Sequence, residues 1–411
     1  MNQQKHTVFS LPVIVAALGY FVDIYDLLLF SIIRIPSLKS LGLNDDQIAQ
    51  DGLFIINIQM IGLLVGGILW GVLGDKKGRL KVLFASIILY SLGNIANGFV
   101  QTVDQYALVR FITGIGLAGE LGAGITLVAE LLPKDKRGLG TSLVAGLGLT
   151  GAVVAFFMKE QFDWRICYFI GGGLGFMLLL LRVGVLESTM FKTIENTDVS
   201  KGNFLMLFTG GRFKKYLKAI LIGLPTWFVI GILITFSKEF GTKMNIQGTI
   251  DPGKSVMFAY VAISIGDVFA GLVSQWLRSR KKALYLFYAF TAISMVLYFN
   301  LQGASVNMLY LASALLGFGT GFWAIFVTMA AEQFGTNIRA TVATTVPNMV
   351  RGSLPLVALL FTSLQGKFDY ITSGWITGII VMVIAVIAAY FTEETFGKDL
   401  NYLEQEIVSP A

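Results

Sequence analysis

The stretch Gly71-Val72-Leu73-Gly74-Asp75-Lys76-Lys77-Gly78-Arg79-Leu80-Lys81 decides the fold. It sets one acid and four bases among glycines, between two strongly apolar runs, in a chain of 411 residues that is only 14% charged. Charge at that density is soluble only in water, so the runs on either side are what must be buried. Outward from the loop the pattern repeats. The chain is 55% hydrophobic and has a mean hydropathy of +0.73. A soluble domain carries about a quarter charged residues. The charge deficit, more than the apolar excess, predicts a membrane protein.

A bilayer core needs about 20 apolar residues per helix. Twelve such segments are expected, starting near Leu11, Leu53, Val82, Gln105, Gly140, Arg165, Leu217, Val256, Ala283, Asn307, Thr341 and Ile371. The first is long enough to span and is followed by no small-residue cleavage site, so no cleaved signal peptide is expected. The longest polar stretch divides the chain into an N-terminal half (1–186), a central loop (187–216) and a C-terminal half with its tail (217–411). With both termini in the cytoplasm, most of the 31 Lys and Arg fall on one side, including those in residues 76–81, 134–137, 212–218 and 278–282. That is the positive-inside bias. It accounts for the formal charge of +6 without nucleic acid. The halves also look like a repeat. Glu130 and Arg137 end span four, and Glu332 and Arg339 end span ten with the same spacing. The second copy of the opening loop is eroded: Gly271 and Arg278-Ser279-Arg280-Lys281-Lys282 remain, and Gln275 stands in place of the acid.

Composition excludes several chemistries. Cys167 is the one cysteine and His6 the one histidine, so no His/Cys metal cluster is available and no metal or cofactor is expected. Gly248-Thr249-Ile250-Asp251-Pro252-Gly253-Lys254-Ser255 matches a phosphate-binding loop in spelling, but no strand precedes it. Gly114, Gly116 and Gly119, and Gly146, Gly148 and Gly151, match a dinucleotide fingerprint but lie inside apolar helices, where close packing explains them. Gly62, Gly66, Gly67 and Gly71 read the same way. An ATP-driven pump therefore has no nucleotide site to use.

Ionisable residues inside spans cost at least about 2.5–3.5 kcal/mol each and usually face a cavity. Asp23, Asp26, Glu120, Asp267, Arg110 and Arg351 are such residues. A rise of about 1.5 Å per residue sets Asp23, Glu120, Asp267 and Arg351 near one level at the midplane. Asp23 and Asp26 are i,i+3 neighbours and share a face. Two carboxylates so close in a low dielectric do not both ionise easily, which suits them, with Glu120, to proton coupling. Arg110 reads as structural. Arg351, in Asn348-Met349-Val350-Arg351-Gly352, carries a permanent charge on a fork that fits a carboxylate. It points either to an anionic substrate or to a structural pair with a mid-membrane acid. Asn348, Asp267, Tyr260, Trp227, Trp323 and Asn57 could line the same cavity. Gly71, Asp75, Gly78, Arg79, Glu130, Arg137, Glu332 and Arg339, at the cytoplasmic boundary, read as a gate in which the acids and bases pair with the opening loop.

The loop resembles the signature G-x-L-x-D-[RK]-x-G-R-[RK] of the major facilitator superfamily. Asp23-Ile24-Tyr25-Asp26 resembles its [DE]-x-Y-D motif, Gly119-Glu120-Leu121-Gly122-Ala123-Gly124 its G-G-E-[YW]-G-G-A stretch, and residues 130–138 its E-x-x-P-x-x-x-R-G. Asp163-Trp164-Arg165 and Glu187-Ser188-Thr189-Met190-Phe191 resemble elements around span six of the metabolite:proton symporter branch and its sugar, aromatic-acid and organic-anion relatives. The resemblance covers the first half well and the second half through residues 332–341, with Ile24, Thr189 and the eroded second loop as departures. It implies an all-α fold of two six-helix halves, while substrate identity does not transfer. With Asp23, Asp26, Glu120 and Arg351 the expectation is proton-coupled import of a small organic anion or zwitterion across a bacterial inner membrane, by a monomer. Residues 146–151 lack the proline of the antiporter motif, which favours symport or uniport over export. A neutral solute such as a sugar, or a receptor that kept the fold without transport, are the alternatives.

Overall fold

In lipid every backbone N–H and C=O must be paired within its own segment, so long apolar runs become helices. The computed structural model of the chain describes residues 10–77, 79–120, 137–189 and 204–398, which are predominantly helical. The N-terminal group comprises α1 (Leu11–Ser40), α2 (Asp45–Lys77), α3 (Arg79–Asn97), α4 (Val103–Leu117), α5 (Arg137–Gln161) and α6 (Trp164–Thr189). A 3-10 turn, Phe204–Phe208, precedes the C-terminal group. That group comprises α7 (Arg212–Phe228), a π-helical segment (Val229–Ile234), α8 (Ser237–Lys243), α9 (Pro252–Trp276), α10 (Arg280–Phe299), α11 (Val306–Gly319), α12 (Trp323–Glu332), α13 (Thr336–Gly352), α14 (Leu354–Leu364) and α15 (Tyr370–Tyr390). All twelve expected segment starts fall on helices. Eight helical stretches among the described residues are long and apolar enough to cross a membrane, and Val82–Asn97 is a shorter apolar one.

The burial pattern is inverted relative to a soluble protein. Leu180, Leu356 and Trp276 stand on the outside, while Asp23, Asp26, Arg34, Arg110, Glu120, Arg182 and Arg351 are all buried. A hydrocarbon solvent produces that inversion. The helices meet closely where glycine permits. A Cβ on Gly62 would strike the Phe111 carbonyl, and one on Gly114 the Gln59 carbonyl, so α2 and α4 touch backbone to backbone. The fingerprint-like glycines of α4 are packing residues.

Two breaks in the C-terminal group lie near Trp227 and Arg351. Pro225 lies inside α7 and the π-segment follows at once. Proline frees a carbonyl and the wider π turn shifts the ladder. Side chains take up the slack: the Tyr288 hydroxyl donates to the Ile222 carbonyl at 2.6 Å, Tyr298 to Leu233 at 3.0 Å and Thr235 to Ile230 at 2.8 Å. The second break is at Ser353, between α13 and α14, where Pro355 cannot continue the ladder. Discontinuous helices in membrane proteins often border binding sites, and Arg351 lies on the last turn of α13 beside one.

Candidate functional site

Arg351 is the centre of the first cluster. The exposed carbonyls at the C-terminal end of α13 favour a cation there. Its Nη2 lies 3.7 Å from Asp23 Oδ2 on α1, with both side chains buried. Nε and Nη1 have no hydrogen-bond partner among the described residues, nor does either carboxylate oxygen of Asp23. The guanidinium carbon sits 5.9 Å from the centre of the Trp227 ring on α7. Tyr20, one turn before Asp23, lies within electrostatic reach of Arg351, Asp23, Tyr260 and Asp267. Three elements, α1, α7 and α13, thus bring a charged fork, a carboxylate and a ring together. The fork still has donors to offer.

Asp26 lies in a second cluster, inside the N-terminal group. Arg110 donates through Nε to Gln59 Oε1 at 3.2 Å, through Nη1 to Asn94 Oδ1 at 3.5 Å and through Nη2 to the backbone carbonyl of Asp26 at 3.0 Å. It also stands 5.7 Å over the Tyr168 ring. The Asp26 carboxylate oxygens have no hydrogen-bond partner among the described residues. Arg110 is therefore held by neutral groups and a carbonyl, fully buried, and acts as a brace.

Glu120 has a partner that sequence reading did not supply. Arg182 of α6 forks onto it, Nη1 to Oε2 at 3.0 Å and Nη2 to Oε1, with both side chains at 5% exposure or less. A Cβ on Gly19 of α1 would strike both partners, so glycine there leaves the space the pair occupies.

The remaining predicted residues divide. Asn348 Nδ2 donates to the Ala118 carbonyl at 2.8 Å, tying α13 to α4. Asp267 accepts from the Ala324 amide at 2.8 Å and so caps the start of α12. Trp323 packs on Phe326 at 5.1 Å between ring centres, and Asn57 leaves a buried Oδ1 unbonded. A Cβ on Gly71 would sit 3.2 Å from Thr345, so α2 runs close along α13. Glu332 meets Arg280 at 3.4 Å and accepts from Thr395 at 2.7 Å, both C-terminal, where α10 and the tail fold over the end of α12; the opening-loop side chains expected to pair with it lie outside the described residues. Arg339 donates to the Phe334 carbonyl at 3.1 Å. Gly78 and Glu130 lie outside the described residues, and Asp75, Arg79 and Arg137 are described as helix backbone only. In the phosphate-loop look-alike, the Asp251 carboxylate accepts from Gly253 N at 2.9 Å and meets Lys159 at 2.6 Å, so the turn serves as a helix cap.

The other unpredicted cluster spans the two groups at the Ser40 end. Arg34, fully buried, pairs with Glu239 of α8 at 2.8 Å, donates to the carbonyls of Ile48 and Thr235 at 3.2 Å, and lies 4.3 Å over Phe236. Lys159 with Asp251, and Lys238 with Asp45 at 3.2 Å, join the groups at the same end. An arginine inside an apolar run was the available signal for both Arg34 and Arg182. Each lies close enough to a span end to pass for loop charge.

With this geometry in hand, comparison with known proteins is specific. The family model described as Major Facilitator Superfamily matches residues 16–352. The niacin transporter NiaP of Acinetobacter baylyi is 27% identical, over 94% of this chain and 94% of its own length. The putative niacin/nicotinamide transporter NiaP of Bacillus subtilis is 25% identical, over 95% and 96%. Among solved structures, the xylose transporter XylE from E. coli in its inward open conformation superposes with a TM-score of 0.71 at 18% identity, covering 96% of this chain and 98% of that one. At that identity the likeness is one of fold.

Proposed function

Because the chain belongs to the Major Facilitator Superfamily, a family of multi-pass membrane transporters and not of enzymes, we propose that it imports a small organic anion together with protons across a bacterial inner membrane. In this reading it has twelve spans with both termini inside, and the Ser40 end faces outward. The cargo is a compact carboxylate with a ring. The observation that carries this is the Arg351 guanidinium, buried, with Nε and Nη1 unbonded above the Trp227 ring. A buried donor left unmade costs about 1–3 kcal/mol, more when charged. A carboxylate across the fork would satisfy it bidentately. Niacin, for which both relatives are named, is a pyridine carboxylate and carries both features.

Asp23 and Asp26 supply the coupling. Among the described residues neither carboxylate has a hydrogen-bond partner. Asp23 and the incoming carboxylate compete for the same guanidinium, so Asp23 released from Arg351 is free to take up a proton when the anion binds. Glu120, tied into Arg182, serves as a structural anchor. Rocking of the two helix groups would break the Arg34–Glu239, Lys159–Asp251 and Lys238–Asp45 pairs to open the Ser40 end. The residues at the Lys77 end form the inner gate.

A second reading has a specific observation behind it. The Arg351–Asp23 contact could be a permanent pair beside a neutral solute. Thermal stabilisation of the purified protein by carboxylates, sugars and amino acids separates the two. The anion reading expects stabilisation by carboxylates that Arg351→Ala removes. Equal stabilisation of both forms by neutral sugars would overturn it. Uptake into vesicles under an imposed pH gradient tests coupling: Asp26→Asn should abolish accumulation, and accumulation without the gradient would defeat symport.

A further inference from the structure

The C-terminal group carries a furrow on its outer surface that the transport reading does not use. It lies between α9, α10 and α11, with a volume of about 260 Å³, and is lined by Phe269, Val273, Leu286, Phe287, Phe290 and Phe318. Phe318 forms its aromatic floor, 5.1 Å from Phe290, 5.7 Å from Phe287 and 5.9 Å from Phe269 between ring centres. The rim is apolar and open: Phe269, Leu272 and Leu286 are each more than half exposed. In a chain that spans a membrane, such a surface at this level faces acyl chains.

The end of the furrow is what makes it selective. The α9–α10 turn stands directly above it, with Trp276 81% exposed, a residue suited to the headgroup level. Arg278 turns the chain in the left-handed region, at φ 48°, and is exposed, as is Lys282. The acid of this corner is already engaged. Glu394 accepts from the Ser279 hydroxyl and from the amides of Arg280 and Lys281, and these bonds hold its carboxyl below the usual range despite partial burial. Arg280 is turned inward to Ser274 and Glu332, and Lys281 to the carbonyls of Tyr390 and Thr392. Arg278 and Lys282 have no side-chain hydrogen bond or ion pair among the described residues, so two uncompensated cations remain at the mouth.

The distances suit one occupant. Leu286 and Phe290 lie four and eight residues beyond Lys282, about 6 and 12 Å deeper at helical rise. Val273 and Phe269 lie five and nine residues before Arg278, about 7 and 13 Å deeper. A phosphate held by the two cations would send its chain straight down the furrow. From this we infer that the corner retains an anionic glycerophospholipid, its phosphate between Arg278 and Lys282 and one acyl chain against Phe318. A basic pocket between helices at the side where the leaflet is anionic is the setting in which such headgroups bind.

The test uses the full chain in nanodiscs or detergent, with lipid binding read by native mass spectrometry and by melting. Phosphatidylglycerol should bind roughly 30-fold more tightly than phosphatidylcholine, as two cations near an anionic headgroup imply. The double variant Arg278→Gln, Lys282→Gln should reduce that preference to about threefold or less while melting unchanged in the absence of lipid. Glycerol phosphate, the headgroup without its chain, should not compete at concentrations where the lipid saturates. Equal binding of the two lipids, a preference that survives the double variant, or competition by glycerol phosphate as effective as the lipid would each overturn the inference.

Discussion

Among the described residues, two arginine–carboxylate pairs with both side chains buried are built differently. Arg182 and Glu120 meet fork to fork, with one bond at 3.0 Å and a second, shorter one, and both belong to the N-terminal group. Arg351 and Asp23 approach only to 3.7 Å, from opposite groups, and leave two guanidinium nitrogens and both carboxylate oxygens unbonded. The first pair engages both carboxylate oxygens. The second engages neither in a hydrogen bond among the described residues, and it joins the two helix groups. In the proposed reading the first is an anchor and the second a binding position. Burial alone does not distinguish them, since all four side chains are at 5% exposure or less.

The comparison can be broken most sharply at the anchor. Arg182→Ala strands a buried carboxylate, and removal of one partner of such a pair costs about 3–5 kcal/mol. The expected outcome is poor yield and a large drop in melting temperature. The double change Arg182→Gln, Glu120→Gln should recover most of it, because a buried neutral pair of similar volume costs far less. If the single variant melts like the parent, Arg182–Glu120 is not an anchor.

At the other pair the order of effects reverses. Arg351→Ala should lower melting less than Arg182→Ala, since the contact it removes is long. It should weaken carboxylate binding by about a hundredfold, the value of two charge-assisted hydrogen bonds. Arg351→Lys should not restore binding, because an ammonium lacks the planar fork. Titration calorimetry on the three proteins checks both statements.

Asp26→Asn should leave ligand binding within about threefold of the parent, and Asp23→Asn, which removes the competitor for Arg351, should leave it as tight as the parent or tighter. Each should lose accumulation driven by a pH gradient, measured in vesicles. Loss of binding with retained coupling would reverse the assignment.

The smallest effect is a control remote from both pairs. Asp369 caps α15, accepting from the amides of Ile371 and Thr372 and from the Thr372 hydroxyl. The hydroxyl bond first, and the amides with it, hold its carboxyl below the usual carboxylate range. Asp369→Ala should cost about 1 kcal/mol. Because the folded-state value is lowered, the contribution is present above the ordinary carboxylate pKa of about 4 and fades as the pH falls through the lowered one. Melting at neutral and acid pH tests this, and ligand binding should not change.

How much of this was legible in the chain depends on whether a property is local. Polar loops among apolar runs, the Gly71-to-Lys81 signature and glycine-rich helix faces are local, and they gave the helical architecture and the family. The depth of Asp23 and Arg351 follows from rise per residue, which is why both were found. Partners are not local. Arg182 lies 62 residues from Glu120, and Glu239 lies 205 from Arg34. Nothing in the spacing within one helix says which helix stands opposite. The same blindness hid the partners of Asp267 and Glu332, which are the Ala324 amide for the first and Arg280 and Thr395 for the second. Tyr20 carried no signal, since a tyrosine in an apolar run is ordinary until its neighbours are known.

Matched acids and amides test the open position of Arg351 most directly: nicotinate against nicotinamide and benzoate against benzamide, bound to the parent and to Arg351→Ala. The rings are the same and only the charge and the acceptor fork differ. The account predicts that the parent prefers the acid of at least one pair by tenfold or more, and that Arg351→Ala binds acid and amide alike. A parent that binds acid and amide equally, or a variant that keeps the preference for the acid, would contradict it.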